Sequence, residues 1–163
     1  MSKKSGKNKA ESAKAQGSEA AALEATPRKA KAGAAIADDA VKVTFLGGLG
    51  EIGRNCACVE LDGKIMLLDC GLMFPDLDML GIDLVLPDFT YLRENADRIV
   101  GCIATHGHED HTGGLSFLLR ELSFPLYGTA LTLGLARNRI EEAGLLDRTS
   151  FNVVQDGERR RIG

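Results

Sequence analysis

His106-Gly107-His108-Glu109-Asp110-His111 places three imidazoles and two carboxylates within six residues, and the chain has no other histidine. A single histidine at the end of an apolar run is ordinarily a hydrogen-bonded core residue. Three of them beside an aspartate would load a packed core with polar rings that lack partners, which burial penalises. Metal binding explains the spacing better. His106 and His108 alternate, so an extended turn aims both at one ion, while Asp110 and His111, past the turn, aim at a second. Imidazole and carboxylate ligands suit Zn²⁺, with a coordination position left open for water. Two adjacent divalent ions acidify a bridging water to a pKa of about 7 and stabilise both the attacking and the leaving oxygens. The chemistry read from the cluster is hydrolysis.

The elements that must hold this cluster are legible around it. Ile99–Thr105 is a short apolar run and reads as a buried strand that delivers the histidines into a loop at 106–112. Gly107 permits a tight path there, and Gly113-Gly114 lets a helix over Leu115–Leu122 start close to the ions. Upstream, Val41–Leu46 alternates like a strand, and Cys56–Leu61 and Lys64–Asp69 flank Asp62-Gly63. An Asp-Gly pair between β-rich runs predicts a hairpin, because glycine accepts the positive φ of the turn. Residues 70–90 read as a loop and Tyr91–Arg98 as a helix. Leu126–Gly128 reads as a strand and Thr129–Ala143 as a helix stopped by Gly144. Phe151–Val154 and Arg159–Ile162 around Asp156-Gly157 predict a second hairpin.

A rival motif needs weighing. Gly48-x-Gly50-x-x-Gly53 follows a strand, and Asp69 lies 21 residues after Gly48, which imitates a dinucleotide-binding fingerprint. That fingerprint requires a helix after the glycines, yet Arg54–Leu61 is short, β-rich and ends in Asp-Gly. The glycines read instead as a tight turn against a sheet.

Composition sets the outer bounds. The chain has 163 residues, is 44% hydrophobic and carries a net charge of −3. No apolar run approaches the ~18 residues of a membrane span. Four cysteines (Cys56, Cys58, Cys70, Cys102) are too sparse for a disulfide scaffold and read as reduced, buried thiols of a cytoplasmic protein. Residues 1–38 are aromatic-free and carry a net +4, against −7 for residues 39–163. The first segment has almost nothing to bury and is expected to be a disordered basic Ala/Lys-rich tail, either a solubilising extension or a weak attractor of RNA phosphates. Residues 39–163 form the folded part.

The His-x-His-x-Asp-His pattern at a strand end resembles the signature of the metallo-β-lactamase superfamily. That resemblance implies an α+β fold, an αββα sandwich with two zinc ions at its rim. Three more blocks narrow it: Leu46–Asn55 (Leu-Gly-Gly-Leu-Gly-Glu-Ile-Gly-Arg-Asn), Leu68–Pro75 (Leu-Asp-Cys-Gly-Leu-Met-Phe-Pro) and Gly81–Asp88 (Gly-Ile-Asp-Leu-Val-Leu-Pro-Asp). With Thr105–Gly114 they resemble the ribonuclease J family of the β-CASP nuclease group, over roughly residues 41–163.

The resemblance implies a cytoplasmic metal-dependent RNA hydrolase, both 5′-to-3′ exonuclease and endonuclease, used in RNA decay and maturation. Position by position it implies that His106 and His108 hold one zinc and that Asp110 and His111 hold the other. Asp110 would also orient or deprotonate the attacking water, and Mn²⁺ is the alternative ion. Asp69 matches the family's motif aspartate, implied to orient groups of the metal site rather than to bind zinc. A calcium ion is implied in the loop after Phe74-Pro75, held by backbone oxygens of Leu80 and Ile82. The implied partners are RNA, preferably 5′-monophosphorylated, further copies in a homodimer or tetramer, and an RNA-degradation complex. The family completes its metal site with ligands downstream of Gly163 and carries a β-CASP domain as well. The sequence is therefore expected to be the truncated N-terminal part of a metallo-β-lactamase domain, inactive by itself. Two other readings stand beside this one: a hydrolase of a small thioester or lactam on the same fold, and a truncated module without catalysis.

Overall fold

The computed structural model describes residues 40–163, so the expectation for the 1–38 tail lies outside the described residues. Asp62 and Gly63 adopt φ of 50° and 74°, the left-handed pair that matches the twist of the strands it joins. Strands β2 (Cys56–Leu61) and β3 (Lys64–Leu68) accordingly pair antiparallel from Leu61↔Lys64 to Ala57↔Leu68. Strand β1 (Lys42–Gly47) adds antiparallel to β2, with a bulge between Phe45 and Gly47. Gly48, Gly50 and Gly53 all have positive φ, and after them the chain enters β2 with no helix between. The dinucleotide imitation thus fails on the structural context it needs.

From β3 onward pairing is parallel: β4 (Ile99–Ile103), β5 (Leu126–Gly128) and β6 (Phe151–Val153) follow in chain order in one six-stranded sheet. Successive right-handed crossovers that step across a sheet in one direction all lie on the same face. The connecting helices are α1 (Thr90–Glu94), α2 (Glu109–Thr112), α3 (Leu115–Glu121) and α4 (Ala130–Glu142). Their residues Leu92, Leu115, Leu118, Leu119, Ala136 and Ile140 form one core with Cys58, Ile65, Leu67, Cys102 and Leu126 of the strands. The opposite face is also apolar, with Val43, Phe45 and Leu61 exposed, as in strands that serve a layered architecture on both sides. Among the described residues no helix is long and apolar enough to cross a membrane.

Several expectations need correction. Tyr91–Arg98 is not one helix: α1 ends at Glu94 and a 3₁₀ turn follows at Ala96–Arg98. Asn95 Nδ2 donates to Tyr91 O at 2.8 Å, and such side-chain competition with the backbone ends helices. The loop expected at 106–112 contains the single turn α2, too short to leave a periodic signature. Strands β3 and β4 stop at Leu68 and Ile103, short of the expected Asp69 and Thr105. The second hairpin does not form. β6 pairs parallel with β5, and Arg159–Ile162 is irregular, since three consecutive arginines offer a strand almost nothing to bury. The α4 prediction holds closely. Thr129 Oγ1 accepts from Thr132 N at 3.2 Å as the N-cap. Gly144, at φ 71°, closes the other end with Gly144 N→Glu141 O and Leu145 N→Ile140 O bonds.

Candidate metal centre

Ligand-carrying loops in sheets of this kind gather beyond the carboxyl ends of parallel strands, and β3 and β4 are adjacent and parallel. Past the end of β3, Asp69 takes φ 60°, a left-handed conformation that aspartate tolerates better than most residues. Its N–H bonds to Ile103 O at 2.9 Å, and its side chain is buried. Asp69 Oδ1 accepts from Thr105 N at 2.7 Å, and Oδ2 accepts from Thr105 Oγ1 at 2.8 Å. Oδ2 also lies 2.7 Å from His111 Nδ1.

The turn that carries the histidines is stitched to the segment after Asp69. Cys70 N donates to His111 O (2.8 Å), Leu72 N to Glu109 O (3.0 Å), and Gly114 N to Cys70 O (2.8 Å). From the other side Asn55 donates twice to Asp110 O, through its backbone N and through Nδ2, both at 3.0 Å. Glycine is required for this closeness. A Cβ on Gly71 would sit 1.7 Å from Asp110 O, and one on Gly114 would sit 2.7 Å from Gly71 O.

His106, Asp110 and His111 offer ligand atoms that all lie within 4.8 Å of one another. The His106 and His111 ring centroids are 3.9 Å apart, and His108 stands beside them with its centroid 4.7 Å from that of His106. Asp110 Oδ2 is 3.4 Å from His111 Nε2. Spacing alone pairs His106 with His108 and Asp110 with His111. The fold brings His106 within reach of the Asp110–His111 pair, and His108 stands on the edge of the same group. Two nitrogens and a carboxylate oxygen at such separations form a donor set suited to a transition-metal ion, so the chain carries a candidate metal-binding site. Glu109 faces away from it and pairs with Arg139 of α4 at 2.7 Å. Next to Asp110 opens a cavity of about 730 Å³ whose walls include Ile52, Met73, Phe74 and Met79.

Three residues with roles here escaped the sequence reading. Thr105 and Asn55 are ordinary polar types whose importance comes from contacts across the sheet, and Arg139 enters from a helix 30 residues away. Leu80 and Ile82 lie in an exposed turn where Leu80 N donates to Asp78 O and Ile82 N to Met79 O. All four cysteines are free and buried. Burial pushes the Cys58 thiol up to about 12, so these side chains belong to the core beneath the site.

Residues 49–155 match the family model of the metallo-beta-lactamase superfamily. The chain is 50% identical over 125 residues to Ribonuclease J of Synechocystis sp., an alignment that covers 76% of this chain and 20% of that protein. It is 49% identical over 114 residues to Ribonuclease J2 of Bacillus subtilis, covering 70% of this chain and 20% of the relative. The corresponding values for Ribonuclease J of Helicobacter pylori are 47% over 116 residues, 71% and 17%. The chain therefore spans about a fifth of the length of these relatives.

Proposed function

The chain belongs to the metallo-beta-lactamase superfamily, and on that premise we propose that it supplies the metal-binding turn of an enzyme that hydrolyses RNA phosphodiester bonds. The observation that carries the reading is the convergence of His106, Asp110 and His111 at the ends of β3 and β4, within a stretch about half identical to proteins named Ribonuclease J. His106, His108, Asp110 and His111 would hold two divalent ions, Zn²⁺ by the chemistry of the donors, with Mn²⁺ as the alternative. Such ions supply charge stabilisation at phosphoryl oxygens and a nucleophile at neutral pH.

The chain's own residues do the rest. Asp110 is partly exposed beside the cavity, where its carboxylate orients the attacking water and accepts its proton. Asn55 and Gly71 fix the backbone that carries Asp110. Asp69, buried and bonded to Thr105 and His111, orients groups of the site without binding an ion itself. The cavity next to Asp110 gives the substrate room to approach. A calcium ion would sit on the backbone oxygens of Leu80 and Ile82. The finer assignments follow from the family resemblance of the sequence motifs: 5′-monophosphorylated RNA as preferred substrate, exonuclease and endonuclease action, self-association, an RNA-degradation complex, and the cytoplasm as the place of action.

The test uses a protein of the relatives' length that contains this chain. It is expected to cleave 5′-monophosphorylated RNA, to leave a small thioester or lactam intact, and to lose RNA cleavage on chelation or on Asp110→Asn. Rapid hydrolysis of the small thioester or lactam with no action on RNA would overturn the proposal. The 163-residue chain by itself is expected to cleave little RNA.

A further inference from the structure

Hydrogen bonds hold two of the three imidazoles directly: His106 Nδ1 lies 3.1 Å from Thr105 Oγ1, and His111 Nδ1 lies 2.7 Å from Asp69 Oδ2. Among the described residues no such bond reaches the His108 ring, which meets His106 edge-on at a centroid distance of 4.7 Å. The place of the His108 ring therefore comes chiefly from its backbone. His108 is the N-cap of α2, and its carbonyl accepts from His111 N at 3.0 Å and from Thr112 N at 2.9 Å. Whatever fixes the residues on either side of it fixes the ring and the start of the helix together.

Both of those residues are in contact with α4. Gly107 does not need glycine for its backbone angle, since its φ lies outside the left-handed region. It needs glycine for closeness: a Cβ there would stand 2.4 Å from Leu135 Cδ1 and 3.1 Å from Leu135 Cβ. On the other side of His108, Glu109 Oε1 accepts from Arg139 Nε at 2.9 Å and lies 2.7 Å from Nη2. Leu135 and Arg139 are four residues apart, so they share one face of the helix. That face is not the core face, which consists of Leu133, Ala136 and Ile140. Leu135 is 48% exposed, and Arg139 is exposed as well.

We propose that Leu135 and Arg139 are positioning residues for His108: by gripping Gly107 and Glu109 they hold its ring at the edge of the candidate metal site. The use of that ring for metal binding rests on the proposed function, whereas the brace itself does not.

The experiment compares Leu135→Ala and Arg139→Met with the parent chain. The methionine keeps the apolar stem and removes the guanidinium. Amide hydrogen exchange in the metal-free chain reads the opening of α2. Exchange at His111, Thr112 and Gly113 is expected to quicken about fivefold in Arg139→Met, the upper end of what an exposed ion pair contributes. Leu135→Ala is expected to act by a similar factor. Exchange within α4 and the urea midpoint should barely move, because neither side chain belongs to the core. Zinc affinity, read by competition with a chromophoric chelator, should fall by about the same factor, and Arg139→Lys should recover most of it. Arg137→Met, the same change at a residue that lies over the Phe151 ring instead, is expected to alter neither readout. Unchanged exchange in Leu135→Ala and Arg139→Met overturns the proposal. So does faster exchange that leaves zinc affinity at the parent value, and so does an equal effect from Arg137→Met. Either variant decides alone if the other does not fold. Faster exchange confined to α2 in a chain that takes up no zinc would support the brace and overturn the metal reading instead.

Discussion

The contact most exposed to a single-atom test lies between Gly71 and the backbone of Asp110. A Cβ added there would stand 1.7 Å from Asp110 O, 2.2 Å from Asp110 C and 2.8 Å from His111 N. Side-chain carbons essentially never approach other atoms closer than 3.0 Å, so the carbonyl must retreat by at least 1.3 Å, the difference between 3.0 and 1.7 Å. That oxygen accepts both Asn55 hydrogen bonds, and the neighbouring bonds from Cys70 N and Leu72 N pin the turn on either side. Overpacking costs about 1–3 kcal/mol, and each backbone bond lost adds about 1 kcal/mol. Gly71→Ala should therefore destabilise the chain by about 2–4 kcal/mol. The same shift carries Asp110 and His111 away from His106, and displacements of about 1 Å at reacting groups cost on the order of 100-fold in rate. Gly134→Ala is the control. Gly134 lies in α4 with nothing within 4 Å of an added Cβ and an unstrained φ, so alanine there should stabilise by about 0.5–1 kcal/mol. Urea unfolding of both variants reads the stability, and chelator competition reads zinc uptake. A Gly71→Ala chain within about 0.5 kcal/mol of the parent, with unaltered zinc affinity, would refute the packing argument.

Glu60 tests the polar side of the fold. Burial raises its carboxyl, but hydrogen bonds from Lys42, Tyr91 and Arg98 together outweigh burial and hold it below the ordinary glutamate range. A depressed folded-state value contributes stability above the unfolded value of about 4.3 and loses it as pH falls through the folded one. Glu60→Gln should cost about 2 kcal/mol at pH 7, and the gap from the parent should close as the pH falls below about 4; an equal gap at pH 7 and pH 3 in urea unfolding would contradict this. The buried thiols give a chemical readout. Cys58, raised to about 12 by burial, and Cys102, raised by burial as well, should resist iodoacetamide at about pH 8 and react fully once unfolded. The Cys56 contact and burial raise Cys70 likewise. Rapid labelling of any of the three in the folded chain would contradict the burial described.

What the amino-acid sequence determined by itself is local. His106, His108, Asp110 and His111 advertise a metal site because metal chemistry needs those types close together, and they fall within six residues. Asp62-Gly63 announces its hairpin for the same reason, since two adjacent positive φ angles need residues that tolerate them. Thr129 and Gly144 mark their helix because caps act within a turn. Tertiary structure decided whatever joins distant segments. Asp69 meets His111 across 42 positions because β3 and β4 lie side by side and parallel. Asn55 reaches Asp110 across 55 positions because β2 begins beside the end of β3. His106 joins Asp110 and His111 because the one-turn helix that carries those two turns back beside it, and the register of that turn is held by backbone bonds to residues 70–72. Such contacts depend on strand order and on the room left by Gly71 and Gly114, which no spacing within the motif encodes.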